Sequence, residues 1–120
     1  MTSGEQGRDL LYVDDAIDAF CIAAGRPDLR GSVINIGGGV EYGIIEVADL
    51  IATLTGAPRE LLHVGAAPAR AKEPQHMILC VDRAKDLLGW APTVGLRDGL
   101  ERTIAWYRAN LAGFTAQPSQ

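Results

Sequence analysis

Residues 7–15 read GRDLLYVDD, a short apolar run between an arginine-aspartate pair and two further aspartates. The apolar and aromatic residues Leu10–Val13 predict a short strand. Asp14 or Asp15 is then expected to cap a helix through about Gly25, because a carboxylate can accept the unpaired amide hydrogens of a first helical turn. This stretch therefore predicts a strand that passes directly into a helix.

The predicted helix carries apolar side chains at helical spacing. Four of them fall on one face of such a helix: Ile17, Phe20, Cys21 and Ala24. An apolar face of this kind normally packs against the core of a domain. The spacing of these four residues therefore supports a helix over this stretch.

Further along the chain, strand signals alternate with helix signals. The predicted strands are Ser32–Ile36, Leu61–Val64 and Met77–Val81. The predicted helices are Gly43–Thr55, Asp82–Leu88 and Leu96–Leu111. No internal repeat or long linker divides the chain, so the alternation predicts one α/β unit.

Composition excludes several classes of function. The 120 residues are 48% hydrophobic and 22% charged, which is typical of a folded domain. A net charge of −4 argues against general nucleic-acid binding, which requires a basic face. No run approaches the roughly 18 apolar residues of a membrane span, and Cys21 and Cys80 form no CxxC motif. We expect a cytoplasmic protein with no metal site, no membrane contact and no nucleic-acid partner.

Four short segments occur in a characteristic order: GRDLLYVDD at 7–15, NIGGG at 35–39, RAKE at 70–73 and LLGWAP at 87–92. In order and spacing they resemble the extended short-chain dehydrogenase/reductase family. That family contains the NAD-dependent isomerases and lyases that epimerise or dehydrate nucleotide sugars. The resemblance covers about Gly4 to Tyr107, but only the last third of a typical member.

This resemblance implies an α/β fold made of the last strand or strands of a Rossmann sheet and a small α/β substrate-binding lobe. It assigns residues 1–114 to the C-terminal nucleotide-sugar-binding region and residues 115–120 to a tail. It also implies that the N-terminal Rossmann lobe of the family is absent from this chain.

The resemblance further implies four substrate-binding residues. Arg8 and Arg70 match family arginines that contact the nucleotide diphosphate, which suits a guanidinium because its N–H groups bind phosphate oxygens in pairs. Glu73 matches an acidic residue that accepts ribose hydroxyls, and Asn35 matches an asparagine near the phosphates. No residue is assigned a catalytic, cofactor-binding or metal-binding role.

Each assignment has a structural alternative. Arg8 would otherwise be a surface arginine that pairs with Asp9 or Asp15. Arg70 and Glu73 would form a solvated pair within one loop. Asn35 would form a turn in which its amide bonds its own backbone.

Two motifs of the family's catalytic lobe do not occur in these 120 residues: the GxxGxxG turn for NAD and the YxxxK pair. The residues four positions after the three tyrosines are Ala16, Glu46 and Leu111. The triple glycine at 37–39 does not replace the NAD turn, because Tyr42 stands where that turn needs a glycine. Without a hydride acceptor, the chain is not expected to catalyse alone.

Two functional hypotheses follow from these patterns. In the first, the chain is the substrate-binding fragment of an NAD-dependent 4-epimerase or 4,6-dehydratase, and it is inactive alone. NAD then belongs to the full-length family and is not expected to bind this chain by itself. In the second, the chain is a non-enzymatic nucleotide-sugar-binding module, or it completes a separate Rossmann lobe. Both hypotheses imply a nucleoside diphosphate sugar as ligand, and both predict exposed apolar faces that favour self-association.

Overall fold

The computed structural model of the protein describes residues 1–68 and 72–115. Within them, the elements in chain order are β1 Gly7–Asp9, α1 Val13–Ala24, β2 Glu41–Gly43, α2 Ile44–Thr55, α3 Asp82–Leu88 and α4 Leu96–Thr115. Single turns of 3-10 helix occupy Pro27–Leu29 and Arg59–Leu61. In this part of the chain, no helix combines the length and the apolar character that crossing a membrane requires.

The predicted helices are confirmed, with differences only at their ends. α1 begins at Val13 instead of after an aspartate cap, and α4 continues to Thr115. α2 and α3 stop before Gly56 and Gly89, whose φ angles are 73° and 64°. Glycine adopts this left-handed conformation without the steric cost that a Cβ would impose, so it ends both helices where the sequence places it.

The predicted strands are wrong. The strand near the start of the chain is β1, whereas Leu10–Val13 leads into α1. The other predicted strands, Ser32–Ile36, Leu61–Val64 and Met77–Val81, have no strand assignment. A strand needs a second strand whose backbone is hydrogen-bonded to it. These segments have no such partner strand within the described residues. Strand propensity measures how well side chains fit a pleated surface, and it cannot reveal whether a neighbouring strand is present.

The small sheet pairs β1 with β2 in antiparallel register, with Arg8 opposite Tyr42 and Asp9 opposite Glu41. The sequence did not predict β2 because glycine and glutamate are infrequent in strands. The amide of Gly7 also donates a hydrogen bond to the carbonyl of Gln75 at 2.7 Å. β1 therefore contacts two distant parts of the chain.

The core lies between α1 and α3. Its buried members are Ala19 from α1, Ala84 and Leu88 from α3, and Trp90. Ile34 and Ile36 pack against this cluster and are partly buried. The Ser32–Ile36 segment therefore belongs to the core through its side chains, although its backbone joins no sheet.

The apolar face of α1 is exposed, which agrees with the prediction of exposed apolar faces. The four apolar side chains at helical spacing, Ile17, Phe20, Cys21 and Ala24, are all exposed. Val13, Ile17 and Phe20, at 59%, 50% and 66% exposure, are named here the α1 apolar stripe. The helix instead buries its alanine side, where Ala19 is 1% exposed. Apolar spacing identifies such a face but does not reveal whether the same chain covers it.

The accessible surface area of the chain agrees with the exposed apolar face of α1. The accessible area of the chain is 8538 Å², whereas a compact monomer of this size exposes about 6300 Å². Because apolar burial supplies most of the driving force for folding, this difference predicts modest stability for the isolated chain.

Asp15 joins α1 to the loop that precedes α4, and it is 3% exposed. It was expected to cap α1, but Tyr12 occupies the cap position. The Asp15 carboxylate instead accepts hydrogen bonds from the Thr93 hydroxyl at 2.7 Å and from the Thr93 and Val94 amides at 3.1 and 2.9 Å. Its carbonyl accepts the indole N–H of Trp90 at 3.0 Å. One residue thus fixes residues 90–94 against α1.

The same contacts lower the pKa of Asp15. Burial disfavours the charged carboxylate and raises its pKa, but the hydrogen bonds from Thr93 and Val94 together lower it by more. The positive charge of Arg102 lowers the pKa further. Asp15 is therefore held in its ionised form.

We predict that Asp15→Ala lowers the free energy of unfolding by about 1–3 kcal/mol, because it leaves part-buried donors of Thr93 and Val94 without their carboxylate partner. Urea unfolding followed by circular dichroism would measure the loss. Thr93→Val is the comparison, since it removes only the hydroxyl bond and should cost less. Equal stability of Asp15→Ala and the unmodified chain would contradict the assignment.

We also predict that acid destabilises the chain partly through Asp15. A lowered folded-state pKa gives a contribution that is complete above the unfolded-state pKa of about 3.9 and is lost as the pH falls from there through the lower folded-state pKa. The unfolding free energy should therefore decline below about pH 5. Asp15→Asn, which does not titrate, should show a shallower decline in urea experiments across this range. Parallel pH profiles for the two proteins would exclude this role.

Candidate functional site

β1 holds Arg8 beside Glu73. The Arg8 Nη2 donates to Glu73 Oε1 at 2.8 Å, and Nη1 donates to the carbonyls of Gly7 and Pro74 at 2.7 and 3.0 Å. The two charged side chains are 19% and 22% exposed. The structure therefore brings together two of the four predicted ligand residues, and the partner of Arg8 is Glu73 rather than Asp9 or Asp15.

These contacts orient the guanidinium and use only part of its bonding capacity. A guanidinium carries five N–H groups, and its bonds within the described residues engage three of them. The carboxylate of Glu73 also balances its charge in the absence of a ligand. Arg8 is thus a fixed cation at a strand position that can still donate to an anionic ligand.

The other two predicted ligand residues are not joined to this pair. Arg70 lies outside the described residues. Asn35 is exposed, and its Nδ2 donates to the carbonyl of Cys80 at 3.4 Å. The expected alternative, a turn in which Asn35 bonds its own backbone, is thus replaced by a contact with a distant segment.

Asp9, which follows Arg8 on β1, makes contacts that the sequence patterns did not predict. Its Oδ1 accepts the amide of Gly38, and its Oδ2 accepts the amides of Gly39 and Leu79, each at 3.0 Å. A signal was available, because an aspartate at a strand end and three consecutive glycines combine an acceptor with accessible amides. The Gly38 and Gly39 amides bind a carboxylate of the same chain, so they are not arranged as a phosphate-binding turn.

A second polar pair flanks the sheet. His76 Nδ1 lies 3.2 Å from both carboxylate oxygens of Glu41 on β2. The histidine side chain is 78% exposed, so solvent screens the pair. Within residues 1–68 and 72–115, no three His, Cys, Asp or Glu side chains converge as a metal site would require.

Two clefts in the described part of the chain are not lined by Arg8, Asn35 or Glu73. A cleft of about 430 Å³ between α1 and residues 26–36 is lined by Phe20, Arg26, Ile34 and their neighbours. A second hollow of about 280 Å³ lies beside Gly38 and the start of α4. Neither is lined by Arg8, Asn35 or Glu73.

Comparison with known proteins identifies relatives of this arrangement. The chain is 38% identical over 106 residues to a UDP-glucose 4-epimerase of Mycolicibacterium smegmatis, a match that covers 88% of this chain and 32% of that protein. It is 31% identical over 112 residues to a dTDP-glucose 4,6-dehydratase of an Actinoplanes species, which covers 93% of this chain and 34% of the relative. No family model matches the chain. The chain spans about a third of the length of the curated relatives it matches.

A solved structure agrees with these relatives. MoeE5, in complex with UDP-glucuronic acid and NAD, superimposes on 89% of this chain with a TM-score of 0.78 and 35% identity. The match uses 35% of the MoeE5 chain. The α/β fold expected from the sequence motifs is therefore confirmed. In sequence and in fold, the chain is homologous to the C-terminal third of nucleotide-sugar epimerases and dehydratases of the extended short-chain dehydrogenase/reductase family.

Proposed function

We propose that this chain binds a nucleoside diphosphate sugar as the substrate-binding part of an NAD-dependent 4-epimerase or 4,6-dehydratase. The observation that supports it best is Arg8, a cation fixed on β1 by Glu73 and two carbonyls. A diphosphate requires such a donor, because its oxygens bind strongly to a guanidinium whose orientation is already set. MoeE5, to which the chain is similar, was solved with UDP-glucuronic acid.

The remaining proposed ligand residues have roles that follow from their charge and hydrogen-bonding groups. Arg70 is proposed to contact the diphosphate with Arg8, and Asn35 to donate to a phosphate oxygen. Glu73 is proposed to accept a ribose hydroxyl, because a carboxylate offers only acceptors. A diphosphate bound to Arg8 would compete with Glu73 for the N–H groups of the guanidinium. The Glu73 carboxylate would then be free to accept a hydrogen bond from a ribose hydroxyl.

Hydride transfer requires groups that these 120 residues do not contain. No tyrosine has a lysine four positions later, and no GxxGxxG turn occurs. NAD, which MoeE5 holds in its solved structure, would supply the transient oxidation of the sugar. We therefore propose that the chain alone binds substrate without converting it.

The α1 apolar stripe supports a second candidate, a module that completes a separate NAD-binding lobe. Val13, Ile17 and Phe20 present an apolar face that the described residues leave exposed. A covering lobe would remove this face from water, and self-association would do so in its absence. On either proposal we place the protein in the cytoplasm.

We predict that the purified chain binds UDP-glucose and that Arg8→Ala weakens the binding at least tenfold, roughly the value of one charge-assisted hydrogen bond. Isothermal titration calorimetry measures the affinity. Arg59→Ala is the matched control, since Arg59 also pairs with a carboxylate at 2.8 Å but lies in the 3-10 turn after α2, and the variant should bind normally. Heat indistinguishable from buffer for the unmodified chain, or equal losses in both variants, would exclude the proposal.

We further predict that Phe20→Ser reduces self-association without lowering the free energy of unfolding, because the side chain is 66% exposed. Sedimentation velocity over a range of concentrations measures the association. Phe114→Ser is the control, because Phe114 is 54% exposed on another helix. If both variants behave alike, the stripe on α1 is not the associating surface.

A further inference from the structure

Asp9 joins three segments that are distant in sequence. Its carboxylate accepts amides from Gly38 and Gly39, 29 and 30 positions away, and from Leu79, 70 positions away. The contact is close, because a Cβ built on Gly37 would lie 2.9 Å from Asp9 Oδ2. The glycine turn therefore packs directly on the carboxylate.

These three segments carry the proposed ligand residues. Arg8 precedes Asp9 on β1, where successive side chains point to opposite faces. Asn35 precedes the glycine turn and donates to the carbonyl of Cys80, the residue after Leu79. Glu73 lies on the chain that leads to Leu79. A single carboxylate thus connects the backbone beside Arg8 to the turn after Asn35 and to the segment that Asn35 contacts.

We propose that Asp9 is the positioning residue of the nucleotide-sugar site, an inference that rests on the binding function proposed above. Asp9 does not touch the ligand. Its bonds to the glycine turn and to Leu79 fix the backbone of β1, which carries Arg8, against the turn that follows Asn35 before the ligand arrives. This pre-organisation raises affinity, because the ordering cost is met during folding rather than during binding.

The geometry also explains why aspartate is needed at this position. Both carboxylate oxygens face only N–H donors. In Asp9→Asn, either orientation of the amide therefore places its NH₂ group against at least one backbone N–H. Asp15 differs, because one of its oxygens faces the Thr93 hydroxyl, which can also accept a hydrogen bond.

Glycine substitutions provide a matched pair of probes. Gly39 and Gly56 have φ angles of 69° and 73°, so alanine brings similar backbone strain at both. Its Cβ would meet only Val81 Cγ2, at 3.5 Å, at position 39 and nothing within 4 Å at position 56. Gly39 lies in the turn that Asp9 holds, whereas Gly56 follows α2. Only Gly39→Ala should disturb the site.

The experiment titrates the full chain and its Asp9→Asn, Gly39→Ala and Gly56→Ala variants with UDP-glucose by calorimetry. Amide exchange of Gly38, Gly39 and Leu79 is followed by NMR without ligand. Asp9→Asn and Gly39→Ala should each weaken binding roughly tenfold, and Gly56→Ala should leave it within about twofold. The three amides should exchange faster in Asp9→Asn than in the unmodified chain.

The outcomes separate this proposal from the proposed function. If the unmodified chain binds and folded Asp9→Asn binds equally well, Asp9 has no positioning role, although the binding function stands. Equal losses in the two glycine variants would mean general destabilisation and would also overturn it. If Asp9→Asn does not fold, the glycine pair decides the question. If the unmodified chain does not bind UDP-glucose, both proposals fail.

Discussion

The buried carboxylate of Asp15 connects α1 to residues 93 and 94 in the loop that precedes α4. It accepts three hydrogen bonds from Thr93 and Val94, and its carbonyl accepts the indole N–H of Trp90. Trp90 in turn packs with α1 and α3 in the core. Asp9, six residues earlier, holds the glycine turn and Leu79 in a similar way. The GRDLLYVDD stretch thus determines the fold through two aspartates that bind distant backbone, more than through the apolar run between them.

These polar contacts matter because the apolar core is small. Ala19, Ala84, Leu88 and Trp90 form its buried centre, while the α1 apolar stripe remains exposed. Relatives of the chain are about three times as long. A further lobe like the remainder of those relatives could pack on the α1 apolar stripe. The α1 apolar stripe is the surface that the second proposed function assigns to a separate lobe.

The sequence predicted the helices well because their signals are local. Apolar spacing and the glycines at 56 and 89 mark where α2 and α3 lie and end. It failed for the strands, because a strand depends on which neighbouring segment is available to pair with it. At the site, the motifs identified Arg8 and Glu73, which the structure joins. They did not identify Asp9, because its partners lie 29 to 70 residues away, and Arg70 is outside the described residues.

The central claim is that the surface around Arg8 and Glu73 receives a nucleoside diphosphate. The most direct measurement is a ¹H–¹⁵N spectrum of the full chain titrated with UDP-glucose. The account predicts saturable shifts at Arg8, at Glu73 and along the glycine turn after Asn35, with the resonances of α2 unchanged. Shifts confined to the cleft lined by Phe20 and Ile34, or no shifts at all, would contradict it.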